Sequence, residues 1–173
     1  MREDLEKLSK EKLIDYIEDV SKNWLAIDGT WFQTVEGHYG LEKAIELDVE
    51  QWKIFTVIEA KRIMNRFGIP KNGGIPALIE ALKFRVYANI NKQDIIEVSD
   101  NRCVFRMLDC RVQSARKRRG LPDFPCKPVG IIEYGLFAET IDPRIQTRCI
   151  VCPPGPHPED YYCAWEFTLK ESQ

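Results

Sequence analysis

The stretch Asp94-Ile95-Ile96-Glu97-Val98-Ser99-Asp100-Asn101-Arg102-Cys103-Val104-Phe105-Arg106-Met107-Leu108 decides the fold class of this chain. Its two ends are runs of β-branched and apolar residues, and Ser99-Asp100-Asn101 between them has turn chemistry, so the stretch reads as a β-hairpin. Upstream the texture is helical. Leu13, Ile14, Tyr16, Ile17 and Val20 recur at helical spacing behind Ser9, a candidate N-cap. Trp24, Ile27, Trp31 and Val35 continue that spacing to Gly40, a candidate stop. Asp48-Val49-Glu50-Gln51 resembles a capping box with Asp in place of Ser or Thr. It is predicted to open the strongest helix, with Trp52, Phe55, Ile58, Ile63 and Phe67 on its face and Gly68 and Pro70 at its end. Pro76 starts a shorter helix through Leu78, Ile79, Leu82 and Val86.

Downstream of the hairpin, residues 111–119 read as a short basic helix stopped by Gly120-Leu121-Pro122. Pro128 opens another helix carrying Val129, Ile132, Leu136, Phe137 and Ile141. Strands are predicted over 145–151 and 161–169, on either side of Pro153-Pro154-Gly155-Pro156-His157-Pro158, a loop too rich in proline for helix or sheet. The predicted class is α+β, with N-terminal helices packed on a small antiparallel sheet and a β-β-α-β-β order in the C-terminal half. The chain reads as a single domain over 1–173, with a helical half at 1–90 and a Cys-rich α+β half at 91–173.

Composition narrows the function classes. The 173 residues are 44% hydrophobic and 30% charged, as in a globular protein with an ordinary core. A net charge of −2 provides no global positive field for nucleic acid or an anionic membrane. No apolar run approaches the ~18 residues that span a bilayer. The acidic start, Met1-Arg2-Glu3-Asp4-Leu5-Glu6, lacks the apolar core of a secretory signal, so a cytoplasmic protein is expected.

The cysteines depart from this ordinary background. All six lie between Cys103 and Cys163. In a reducing compartment such clustering points to metal or redox chemistry rather than disulfides. Cys149-Ile150-Val151-Cys152 is a C-x2-C, a spacing that lets two thiolates face one ion. With Cys126 and Cys163 it makes an all-thiolate set suited to zinc or a [4Fe–4S] cluster. His157 or Cys110 could replace one of the four ligands, and Cys103, inside an apolar run, reads as a small core residue. Without a metal, Cys110 or Cys126 would be candidate nucleophiles for a small enzyme. Only His38 and His157 exist to activate them.

The helical half carries a second constellation. Trp24, Trp31, Trp52 and Phe55 are large, and Asp28, Glu36 and Glu59 fall near them at helical spacing. Aromatic walls with a few inward polar groups make a small-ligand pocket. Trp31, Trp52, Glu36 and Glu59 are its expected ligand-binding residues, with Glu36 or Glu59 pointing inward, near the cysteine cluster.

Three resemblances accompany these readings. Cys110, Cys126, Gly130, Cys149 and Tyr162-Cys163-Ala164-Trp165-Glu166-Phe167 resemble a 4-vinyl-reductase-type domain and its relatives. The stretch with Trp31, Glu36, Gly40 and Ala44 resembles proteins grouped with L-2-amino-thiazoline-4-carboxylate hydrolase. Asp109-Cys110-Arg111-Val112-Gln113, Pro125-Cys126-Lys127 and Cys149-x-x-Cys152-Pro153-Pro154 resemble an uncharacterised family of small cytosolic proteins from anaerobes, over most of the chain. The resemblances imply a helical half on an antiparallel sheet, often as a homodimer, with a Cys-bound metal beside a small-molecule pocket. Their regulatory members bind aromatic ligands and zinc, and their hydrolase members are enzymes. This chain departs from the vinyl-reductase pattern where Glu159-Asp160-Tyr161 replaces the expected Gly-Asp and a Pro-rich loop is inserted. The expected function is a metal-bearing, ligand-binding or sensing protein, with a small enzyme as the alternative.

Overall fold

The computed structural model describes residues 2–170. After α1 (Arg2–Glu6) come two long helices, α2 (Lys10–Tyr39) and α3 (Leu41–Phe67), then α4 (Gly74–Leu82) and a 3-10 turn, Val86–Asn89. Strands β1 (Lys92–Ile96) and β2 (Arg102–Asp109) form the expected hairpin. Helices α5 (Arg111–Arg118) and α6 (Lys127–Ile141) lead to β3 (Ile145–Val151) and β4 (Cys163–Leu169). Two helices therefore separate the strand pairs. The class is α+β, with helices packed against one face of a four-stranded antiparallel sheet of order β1-β2-β4-β3. No described helix is long and apolar enough to cross a membrane.

Ser9 caps α2 as expected, its hydroxyl accepting from the Lys12 N–H at 3.2 Å. Asp48, expected at the start of a helix, lies inside one: α3 begins at Leu41. Gly40 alone separates α2 from α3, at φ +84°, a conformation that a side chain at Cβ disfavours. It closes α2 by donating its N–H to Glu36 O at 2.9 Å and opens α3 by accepting from Ala44 N at 3.1 Å. A single residue thus turns the chain, and the carboxylate of Asp48 is released from capping.

Pleating assigns each strand residue a face. On the inner face of the sheet Cys103 pairs with Phe167, Phe105 with Trp165 and Met107 with Cys163. Cys149 extends the row opposite Trp165. The outer face carries charge pairs, among them Arg102 and Arg148 on Glu166 at 2.8 and 2.7 Å, and Arg106 on Asp94 at 2.6 Å. Helix α6 covers the inner face with Val129, Gly130, Tyr134, Phe137, Ala138 and Ile141, all buried. Gly130 is required where α6 crosses Trp165, because a Cβ there would lie 2.5 Å from Cζ2 of the indole.

Candidate functional site

Between α2, α3 and α6 on one side and the sheet on the other lies a cavity of about 340 Å³. Trp52, Tyr87, Tyr134, Met107 and Trp165 form its walls, and α5 with the following loop closes it through Val112, Ala115 and Phe124. The aromatic rings brace one another. Trp52 stacks on Tyr87 with centroids 5.9 Å apart, and Tyr134 meets Trp165 at 4.9 Å. Such mutual packing holds the walls apart and preserves the space.

Three carboxylates border this apolar volume: Asp28 from α2, Asp48 from α3 and Glu133 from α6. Asp28 accepts from Gln51 Nε2 at 2.8 Å, and burial raises its pKa. The Asp48 carboxyl is pushed up to about 7 by burial, then by the charges of Asp28 and Glu133, against a hydrogen bond with Trp52. Glu133 is buried, which raises its pKa, but it is ion-paired with Arg85 Nη2 at 2.6 Å. Arg85 also bonds Glu59 through Nε at 3.0 Å, and lies over the rings of Phe137 and Tyr134, 4.9 and 5.2 Å from their centroids. One buried guanidinium thus serves two buried carboxylates.

The thiols gather at the sheet end of the same cavity. Cys110, Cys126, Cys152 and Cys163 all border it. The Cys152 thiol is in hydrogen-bonding contact with those of Cys126 and Cys163, and Cys149 contacts Cys152. Sheet pairing places Cys149 and Cys163 on the inner face, and the break in register between Cys149 and Val151 precedes the inward Cys152. Gln113 Nε2, on α5, donates to Cys126 Sγ at 2.9 Å. The Cys152 pKa is raised, first by its bond with Cys126, and that of Cys163 first by its bond with Cys152. Adjacent thiols disfavour ionisation of one another when no cation is near. Among the described residues, no group of three or more His, Cys, Asp or Glu side chains is arranged as it stands to hold an ion. Cys110 is pushed up to about 12 by burial, which makes it a poor nucleophile at neutral pH. Cys103 is a core residue with no exposed surface.

Of the expected ligand-binding residues, Trp52 lines the cavity. Trp31 lies on the outer side of α2 and is 63% exposed. Glu36 pairs with Arg116 at 3.5 Å. Glu59 is buried, bound by Arg85 and accepting from Val86 N at 2.8 Å. His157 lies 3.7 Å from Asp123, with its ring against Tyr162. Asp48, Glu133 and Tyr87 were not anticipated in the cavity. Asp48 is four residues before Trp52 on one helical face, a signal hidden by its likeness to a cap. Arg116, on the expected basic helix, is buried and donates to Pro122 O at 2.8 Å.

No curated protein matches the chain. Among solved structures, the fold is similar to the phenol-responsive sensory domain of the transcription activator PoxR, crystallised with phenol. The TM-score is 0.57 at 15% sequence identity, covering 83% of this chain and 73% of that one. At this identity the likeness is one of fold. A family model matches residues 6–169, nearly the whole length, and the chain belongs to DUF6125, a family of unknown function.

Proposed function

We propose that this chain is a ligand-binding module that takes a small aromatic molecule into the cavity between its helices and its sheet. The observation that carries this reading is the cavity itself: about 340 Å³ of space walled by braced aromatic rings and bordered by a few polar groups. Pockets of roughly 300–1,000 Å³ with such linings are the usual form of small-molecule sites. The similar sensory domain was crystallised with phenol, which supports an aromatic occupant. The test is calorimetric titration with single-ring aromatics, read in parallel by tryptophan fluorescence from Trp52 and Trp165. Saturable binding that is abolished by Ala115→Phe, which fills the volume, is the expected result. Binding unaffected by that variant would place the ligand elsewhere.

The thiol contacts favour a second element in the same reading: a zinc ion held by Cys126, Cys149, Cys152 and Cys163. Zn–S bonds of about 2.3 Å put tetrahedral sulfurs about 3.8 Å apart, so Cys126, Cys149 and Cys163, each in contact with Cys152, would close around the ion on binding it. A [4Fe–4S] cluster spreads its four ligands further. The N–H of Gln113 directed at Cys126 Sγ is the kind of donor that stabilises a thiolate. Zinc would give the cysteines a charge partner and fix α6 to the strands beneath it. One zinc per chain is expected in protein purified without oxygen. Because metal binding adds to folding free energy, Cys149→Ser should lower Tm more than Cys103→Ser, a difference removed by chelator. Equal effects of the two substitutions, with or without chelator, would count against the metal.

A further inference from the structure

Asp28 and Asp48 are half-buried carboxylates in an aromatic-walled cavity, and neither has a cationic partner. Asp28 is held by the neutral amide of Gln51 and Asp48 by the neutral indole of Trp52. Among the described residues, no cation that borders the cavity (Lys22, Arg111, Arg116, Arg118 and Arg119) is ion-paired with either acid, and neither is Arg85 behind Glu133. Arg85 is shared by Glu59 and Glu133. Lys22 turns to Glu18 and Asp19, Arg116 to Glu36 and the Pro122 carbonyl, and Arg119 to Gln33. A carboxylate so placed is desolvated without compensation, and the two acids together with Glu133 repel one another. That arrangement costs stability in the empty protein.

An independent feature indicates an occupant with its own polar groups. Trp165 is only 1% exposed and borders the cavity, yet its indole Nε1 meets no nitrogen or oxygen acceptor and has only the weakly accepting sulfur of Cys163 beside it. A buried donor left with so weak an acceptor is unusual in a finished core and is common where a ligand completes the site.

We propose that the cavity selects a positively charged aromatic amine, whose ammonium lies between Asp28 and Asp48 and whose ring packs among Trp52, Tyr87 and Tyr134. This rests on the aromatic-ligand reading above and narrows it to a chemical class. The ammonium supplies the missing cation to both carboxylates. The neighbouring π-faces add cation–π attraction in a desolvated setting. A neutral phenol of the same size offers one hydroxyl donor and no charge, so it leaves one of the two acids unpaired.

The probes are 2-phenylethylamine and its neutral counterpart 2-phenylethanol, titrated into the full chain at pH 8 by calorimetry. The amine is expected to bind at least ten-fold more tightly. Asp48→Asn and Asp28→Asn should each weaken the amine ten-fold or more and leave the alcohol within two-fold, which also shows that the variants are folded. If the alcohol binds as tightly as the amine, or the amine is indifferent to both substitutions, the amine proposal fails while the aromatic pocket stands. If neither probe binds and phenol does not bind either, both readings fail together.

Discussion

Gln113 is tied at once to the cysteine cluster and to the loop that closes the cavity. Its Nε2 donates to Cys126 Sγ and to Phe124 O, each at 2.9 Å, and its Oε1 accepts from Phe124 N at 2.8 Å. Phe124 borders the cavity, and Cys126 sits at the start of α6, so one buried amide couples roof, thiols and helix. Gln113→Leu keeps the volume and removes all three bonds. If the thiols hold zinc as proposed, it should lower zinc affinity about 10–100-fold, as loss of an outer-sphere partner does, measured by competition with a chromogenic chelator. An unchanged affinity would separate α5 from the thiol site.

Arg85 should be the most sensitive charged position in the core. Its guanidinium is the shared counter-ion of Glu59 and Glu133, and all three side chains are buried. Arg85→Met removes the cation and leaves two carboxylates in apolar surroundings. The expected loss is about 3–5 kcal/mol in urea unfolding at pH 7. A cost within the range of an exposed ion pair, ~1 kcal/mol or less, would show that water reaches these groups.

Gly130 is fixed by contact with Trp165 rather than by backbone conformation. A methyl group there would stand 2.5 and 2.8 Å from two atoms of the indole ring. Helix α6 or the ring must move, and overpacking of this kind costs about 1–3 kcal/mol, although alanine is the better helix former. Since Trp165 also borders the cavity, Gly130→Ala should weaken aromatic ligands as well as lower Tm. A Tm at or above that of the parent protein would refute the close packing of α6 on the strand.

Asp48 makes stability depend on pH in a predictable direction. Its carboxyl titrates near 7 in the folded chain and near ~4 when unfolded. A raised folded value means that the native state binds the proton more tightly, so this contribution is complete below about pH 4 and is lost as pH rises through 7. Asp28 and Glu133 face Asp48 across the cavity, and Trp52 is its hydrogen-bonding neighbour. In the ligand-free protein Asp48→Asn should therefore raise stability at pH 8, by about 4 kcal/mol at most and less where water screens the carboxylate, and have little effect at pH 4. The readout is the difference in Tm between parent and variant across that range. A variant less stable than the parent at pH 8 would contradict it.

Much of the architecture follows from patterns within a few residues. Ser9 and Gly40 bound α2, residues 94–108 form a hairpin, Pro128 lies in the first turn of α6, and β3 covers the run expected of it. Caps, turns and periodicity act through bonds between residues one to four apart, so the chain carries them locally. The helical content around residue 48 was legible for the same reason. The misplaced start came from a capping signal that Gly40, with its positive φ, made unnecessary. The alternation along β4 likewise dictates that Cys163, Trp165 and Phe167 share one face. The contents of the cavity have no such local origin. Asp28 meets Asp48 only because α2 and α3 fold back on each other. Cys126 meets Cys152 because α6 begins above the end of β3. Glu59 leaves the expected pocket because Arg85, from beyond the next helix, reaches it first. A cavity is the space left when large side chains from distant segments prop one another apart, and no short run of residues encodes that space.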